Sequence, residues 1–251
     1  MNLLIIQARM GSTRLPGKVL MKMGNKTLLE HLLSRVQPAK KINSIVVATT
    51  TNAEDEAIEK FCAEKNILCT RGSDWDVLDR FYTTAVNFNP ENVIRLTSDC
   101  PLNSHKVVDF VMEEFEKSGK DYFSNSNHEP DFLEDGFDVE VFKFSALETA
   151  WKEAKLLSER EHVTPYIKNS KKFTCGWKKY SSQYTYKLSV DSENDFKAVS
   201  AIIESLKDVP DFGMEEVIDL LKKKPEILSL NKESEINSGY KKSLKEDKNV
   251  R

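Results

Sequence analysis

Short apolar runs alternate with helix-spaced segments over the first 120 residues, and this alternation confines the chain to very few folds. Leu3, Leu4, Ile5 and Ile6 form an unbroken apolar run ending in a polar, glycine-containing loop, the pattern of a central strand buried on both faces. Leu28, Leu29, Leu32, Leu33 and Val36 then recur at helical spacing, and a second buried run at 45–48 ends in Thr49, Thr50 and Thr51. These make a βαβ unit. Further helices are expected over 54–65, 77–88 and 107–117, with strands at 68–70 and 93–96. Strands separated by helices of this length give an α/β fold with a mostly parallel sheet covered on both faces, and ligands bind outside the carboxyl ends of its strands.

Beyond residue 121 the pattern loosens. Strands are expected at 139–142, 173–177 and 184–190, and helices at 145–155, 195–207 and 214–224, the last stopped by Pro225. The aromatic-rich strands read as a small antiparallel extension of the sheet. A length of 251 residues suits one large domain, taken as 1–225, and 226–251 reads as a mobile polar tail because it is charged and poor in large apolar groups.

Composition removes several function classes. With 37 Lys and Arg against 40 Asp and Glu, and a net charge of −3, no basic stripe is available to bind nucleic acid. No stretch of about 18 apolar residues suggests a membrane span, and Arg9 interrupts the N-terminus too early for a secretory signal, so a cytoplasmic protein is expected. Four scattered cysteines without a CxxC pair read as reduced thiols, and His31, His105, His128 and His162 form no zinc motif.

The loop after the first strand holds most of the chemistry. It carries three cations (Arg9, Arg14, Lys18), two hydroxyls (Ser12, Thr13) and two glycines (Gly11, Gly17). Glycines let backbone N–H groups turn inward as an anion nest, while Arg and Lys neutralise phosphate charge, so a triphosphate is the natural ligand. The loop is not a Walker A motif, since Pro16 stands where the second glycine belongs and Val19 follows Lys18. The plainer alternative is an exposed loop whose cations only keep the surface soluble.

Two acids complete the pattern. Asp99 follows the strand at 93–96, placing a carboxylate where a nucleotide should lie, and a hard cation such as Mg²⁺ takes one or two protein carboxylates plus substrate phosphates. Asp191 suits the second position, and reads equally well as the N-cap of a helix beginning near Glu193.

QARMGSTRLPGK at 7–18 resembles the signature loop of the cytidylyltransferase family that includes CMP-KDO and CMP-sialic acid synthetases, closest to the spore coat polysaccharide biosynthesis protein F branch. The stretches VVATT (46–50), RGSDWDVLDRF (71–81), RLTSDCPL (95–102), DGFDVEVF (135–142), REHVTPYI (160–167) and VDSENDF (190–196) resemble it in the expected order. This chain has Ser192 where that family usually has Thr, and Glu134 where the branch often has a proline-containing turn.

The resemblance implies a Rossmann-like, GT-A-like nucleotidyltransferase: a three-layer sandwich with a mostly parallel central sheet. It implies transfer of CMP from CTP to an acidic sugar, with pyrophosphate released, for surface polysaccharide or glycan synthesis. Lys18, Arg14, Asp99 and Asp191 are then the catalytic set, and Asp99 with Asp191 hold Mg²⁺. Arg9, Gly11, Ser12, Thr13, Arg14, Lys18, Arg71, Gly72 and Ser98 bind nucleotide, as does Thr49, which reads equally as a turn cap. Asp135, Asp138 and Glu140 face the acceptor, the last two sharing a strand face by alternation. Arg160 grips its carboxylate and His162 contacts it. Trp75, Trp151 and Trp177 are expected in the core or an interface, Trp177 in a homodimer contact within 137–190. Use of another nucleoside triphosphate, a phosphorylated acceptor, glycosyl transfer or a non-catalytic nucleotide-binding module stay open.

Overall fold

A computed structural model describes residues 1–127, 132–232, 234 and 238–250; His128 lies outside them. β1 (Asn2–Gln7) leads through the cationic loop and a 3-10 turn (Lys18–Leu20) into the antiparallel pair β2 (Lys22–Met23) and β3 (Lys26–Thr27). The alternation continues as α1 (Leu28–Val36), β4 (Ser44–Thr50), α2 (Glu56–Glu64), β5 (Leu68–Gly72), α3 (Val77–Val86), β6 (Asn92–Thr97) and α4 (His105–Ser118). The second part holds β7 (Tyr122–Ser124), β8 (Glu140–Lys143), α5 (Phe144–Glu153), α6 (Leu157–His162), α7 (Pro165–Asn169), β9 (Cys175–Trp177), α8 (Glu193–Ser205), α9 (Met214–Lys223) and α10 (Ser238–Lys245).

Among the described residues, seven strands form one sheet in the order β5-β4-β1-β6-β8-β7-β9. β1 pairs in parallel with both β4 and β6, Leu4 lying opposite Ile45 on one side and Ile94 on the other. Only β8 runs against its neighbours. The unbroken apolar run of β1 has a direct cause in this position. Leu4 and Ile6 face a layer with α1, α2, α4, α8 and α9, whereas Leu3 and Ile5 face one with α3, α5 and α7. A strand with two buried faces has no side chain to spare for water. The fold is therefore a three-layer sandwich. From β1 the chain moves outward to β4 and β5, then returns to β6 on the other side, so the loops after β1 and β6 meet at a topological switch point.

Two segments depart from the sequence expectation. Residues 184–190 form no strand; the N–H groups of Leu188 and Ser189 donate to the Asp135 carboxylate (2.9 and 2.7 Å) instead of to a neighbouring strand. Gly136, at φ 91°, lies so close that a Cβ there would sit 2.7 Å from the Leu188 carbonyl carbon. The second is the expected mobile tail over 226–251, whose described part takes up defined structure as a 3-10 turn (Pro225–Leu230) and α10. Hydrogen bonds anchor it where apolar side chains are few: Asn231 donates to the Lys187 carbonyl (3.0 Å), and Asp247 accepts from the Ser158 N–H and hydroxyl (both 2.9 Å).

Candidate active site

The cationic loop is shaped by its own backbone. Ser12 and Gly17 both donate to the Met10 carbonyl (2.8 Å each), and the Met10 N–H donates to buried Asp55 (2.6 Å), which also accepts from Thr50 at the end of β4. Gly17, at φ 71°, takes the left-handed conformation that turns the chain into Lys18. The result is a buried ammonium at the floor of a cleft of about 710 Å³, within the usual size range for small-molecule sites.

Lys18 Nζ donates to the Val190 carbonyl (2.6 Å) and lies 3.3 Å from Asp191 and 3.5 Å from Asp99. Arg14 adds a contact to Asp191 at 3.0 Å, and Val190 N–H donates to the Asp99 carbonyl (2.8 Å), tying the two acid-bearing loops together. Burial by itself raises the Asp99 carboxyl, but Lys18 with hydrogen bonds from Thr97 and Cys100 brings it below the ordinary carboxylate range. Asp191 is not the helix cap. That role belongs to Ser192, whose hydroxyl accepts from Asp195 N–H while the Asp195 carboxylate accepts from the Asp191 and Ser192 N–H groups. Asp191 is thereby left pointing at cations.

Ser12, Thr13, Ser98 and Arg9 line the same cleft, Arg9 pairing with Asp74 at 2.9 Å. Several cations escaped sequence reasoning, Arg80 and Lys187 among them. Arg80, within RGSDWDVLDRF, lines the cleft although 2% exposed; burial and nearby Arg9 push its guanidinium down to about 10, and its Nε has no hydrogen-bond partner. Lys187, four residues before Asp191, reaches Asp195 (2.9 Å) and Asp191 (3.5 Å). The signals were its position in the 184–190 run just before Asp191 and the length of its side chain. Trp75 stands 54% exposed on the cleft rim, not in the core, whereas Trp151 stacks on Tyr82 with ring centroids 4.1 Å apart.

Four expected nucleotide residues lie elsewhere. Gly11 does not line the cleft and abuts Glu54, whose carboxylate would lie 2.8 Å from an added Cβ. Thr49 is fully buried within β4. Arg71 turns away to the carbonyls of Thr50 (2.9 Å) and Asn52 (2.8 Å) and to Glu59 (3.1 Å). Gly72 gives room to the Arg80 stem, 3.0 Å from where a Cβ would be. Thr49 lies within β4 and Arg71 and Gly72 within β5, not in the loops after them, and Gly11 packs against the turn that precedes α2.

A second cleft, of about 280 Å³, adjoins the first, and Arg14, Asp99, Asp191 and His162 line both. Asp135, Asp138 and Glu140 all reach it. Glu140 is committed to partners: it bridges Arg95 and Lys168 (3.5 Å) and accepts from Tyr122 and Thr164 hydroxyls (2.7 Å each). Burial raises its carboxyl, yet these cations and hydroxyls hold it well below the ordinary value. Asp138 behaves oppositely: burial, then the neighbouring Asp135 charge, push it up to about 7. Arg160 is absent from this cleft. Its Nε lies 3.0 Å from both oxygens of Asp76, which caps α3, its Nη2 lies 2.5 Å from one of them, and its Nη1 donates to the Trp151 carbonyl (2.8 Å), so the guanidinium is committed to structural partners. Arg95 and Lys168 supply the positive charge there instead. Glu134 accepts from Asn125 (2.7 Å), Tyr180 N–H (3.0 Å) and Ser181 N–H (2.6 Å), which secures the approach to β8 without a proline turn.

The family model described as Cytidylyltransferase matches residues 3–236. The chain belongs to the cytidylyltransferase family. This cytidylyltransferase is 39% identical to an uncharacterized protein of Methanocaldococcus jannaschii, over 90% of this chain and 93% of that one. It is 31% identical to the spore coat polysaccharide biosynthesis protein SpsF of Bacillus subtilis, over 89% and 95% of the two chains. The solved structure of a cytidylyltransferase from Leptospira borgpetersenii superposes with a TM-score of 0.83 at 31% identity, covering 90% of this chain and 96% of that one. The protein is thus a nucleotidyltransferase, with the doubly covered, mostly parallel sheet of that fold. Among the described residues, no helix is long and apolar enough to cross a membrane.

Proposed function

We propose that this enzyme transfers CMP from CTP to an acidic sugar of the nonulosonic acid or KDO-like class, releasing pyrophosphate, in the synthesis of a surface polysaccharide or glycan. The observation that carries this reading is the pair Asp99 and Asp191, which converge on one ammonium, Lys18, at the seam between a cation-lined cleft and a second cleft. The acceptor hydroxyl attacks the α-phosphorus in line. A bond from acceptor oxygen to the α-phosphorus forms, the bond from that phosphorus to the oxygen bridging to the β-phosphate breaks to release pyrophosphate, and the hydroxyl proton passes to water. Arg9, Arg14, Lys18 and Arg80 neutralise the triphosphate and the departing pyrophosphate, while Ser12, Thr13 and Ser98 offer hydroxyls to its oxygens.

Two carboxylates already sharing one cation are a donor set that fits Mg²⁺, with phosphate oxygens and water completing the coordination. Bound there, the ion would polarise the α-phosphoryl oxygen and ease loss of the hydroxyl proton. Among the described residues no cluster of three or more potential protein ligands forms, consistent with a substrate-completed site.

Arg14, Arg95 and Lys168 stand among the acids Asp99, Asp135, Asp138, Glu140 and Asp191 on this cleft, which supports an acceptor that sets a carboxylate against the cations, and Asp138, titrating near neutrality, suits sugar hydroxyls as donor or acceptor. The same reading makes the enzyme a cytoplasmic homodimer, with Trp177, 40% exposed on the edge strand β9, at the contact. The test is Mg²⁺-dependent pyrophosphate release with CTP, UTP, ATP and GTP against a panel of acidic sugars and phosphorylated acceptors. CTP-selective release that requires an acidic sugar is expected; release with only a phosphorylated acceptor would overturn the acceptor class.

A further inference from the structure

We propose that α10 forms a wall of the substrate cleft and that its Ser243 is a positioning residue, which holds His162 in the tautomer that can accept a hydrogen bond from the acceptor sugar. The inference rests on the acceptor reading above and concerns a part of the chain beyond residue 236, where the family match ends.

The first observation is placement. Gly239, Lys242, Ser243 and Glu246 line the phosphate-side cleft, while Gly239 and Tyr240 line the acceptor cleft, so the helix spans the seam. The second is anchorage. Beyond the helix, Lys248 accepts through its carbonyl from Leu157 N–H (3.0 Å) and Val250 N–H donates to the Lys155 carbonyl (2.9 Å), while Asp247 holds Ser158 through two hydrogen bonds. A segment tied to α6 on both backbone and side chain is a built surface, since each bond fixes a group that water would otherwise serve.

The third observation is the proton inventory at Ser243, which is buried. Its oxygen lies 2.6 Å from the Glu161 carboxylate, 3.1 Å from the Gly239 carbonyl and 2.9 Å from His162 Nε2. A hydroxyl has one proton to give, and the short bond to a carboxylate is the strongest use of it. Nε2 of His162 must then be the donor. In a neutral ring that leaves Nδ1 as a lone pair, and His162 lines both clefts. The Tyr240 ring meets the imidazole edge-on, at 5.0 Å and 84°, fixing its plane. Burial, with Arg95 and Lys168 nearby, pushes His162 down to about 4, so the ring is neutral near pH 7.

The test uses the full chain. Removing one neutral hydrogen bond that orients the ring raises the KM for the acceptor about tenfold in Ser243→Ala, with the KM for CTP unchanged within about twofold, and Ser243→Thr restores the original value because it keeps the hydroxyl. Unchanged acceptor KM in folded Ser243→Ala, or an equal rise in both KM values that Thr fails to rescue, would overturn the proposal. Histidine ¹⁵N shifts of the unmutated protein, assigned by the signals lost in His162→Gln, give a reading that needs no turnover. The Nε2–H tautomer is expected, and the Nδ1–H tautomer would overturn the proposal. Absence of any CTP-dependent pyrophosphate release by the unmutated enzyme would instead overturn the reaction itself, leaving the tautomer measurement to judge Ser243.

Discussion

Arg160 closes on the Asp76 carboxylate with its side chain 2% exposed and that of Asp76 10% exposed, tying α6 to the N-terminal cap of α3. The two residues are 84 apart in the chain, so only folding brings them together. Truncating one member of a buried pair strands the other charge and costs about 3–5 kcal/mol. Arg160→Ala is therefore expected to lose stability on that scale in urea unfolding while acceptor KM of the folded fraction stays the same. A marked rise in acceptor KM with little loss of stability would return Arg160 to the substrate.

Asp99→Asn keeps the shape of the side chain and removes its charge from the seam of the two clefts. Turnover is expected to fall at least about 100-fold, the scale seen when one electrostatic group is withdrawn from a transition state, with a melting temperature within a few degrees of the original. Pyrophosphate release at low Mg²⁺ and a thermal melt check both halves. Normal activity in a folded variant would remove Asp99 from the chemistry.

The acid network around Glu140 sets a pH window. Glu140 titrates well below its ordinary value of 4.5 in the folded protein, so its contribution is present above about 4.5 and is lost as pH falls below that value. Asp138 acts in the opposite sense. Raised from 3.8 to about 7, it favours the folded state most below pH 3.8, and that contribution is lost as pH rises toward 7. Asp138→Asn should flatten the stability profile between about pH 4 and 7, and Glu140→Gln should flatten it below about 4.5 while lowering stability at pH 7. Urea midpoints across pH 3–8 measure both, and unaltered slopes would refute the assignments.

Gly136→Ala meets two obstacles at once, a φ of 91° and a backbone carbon 2.7 Å from the new Cβ. Because Leu188 and its neighbour are pinned by Asp135, neither side can move aside freely. A loss of about 2–3 kcal/mol is expected in denaturant unfolding, on the scale of strained backbone positions. Stability within about 0.5 kcal/mol of the original would mean that the 184–190 segment adapts more easily than its hydrogen bonds imply.

The alternating apolar runs were enough to determine the βαβ core, its two covered faces and the place of the cationic loop and Asp99, because strand and helix periods are local properties of the chain. The signature stretches carried the family and most of the cleft: Arg9, Ser12, Thr13, Arg14, Lys18, Ser98, Asp99 and Asp191 all meet there. Local pattern does not say which way a long side chain turns. Arg71 and Arg160 both follow the motif, yet carbonyls and acids from distant segments claim them, whereas Arg80 and Lys187 reach the cleft or its acids from positions that looked ordinary. The same holds for residues 184–190, extended by composition but held by the Asp135 carboxylate, and for the polar C-terminal segment, whose partners on α6 lie roughly 90 residues upstream. Hydrophobic periodicity is written along the sequence; hydrogen-bond and ion-pair partners are chosen only when the folded chain brings them within about 3 Å.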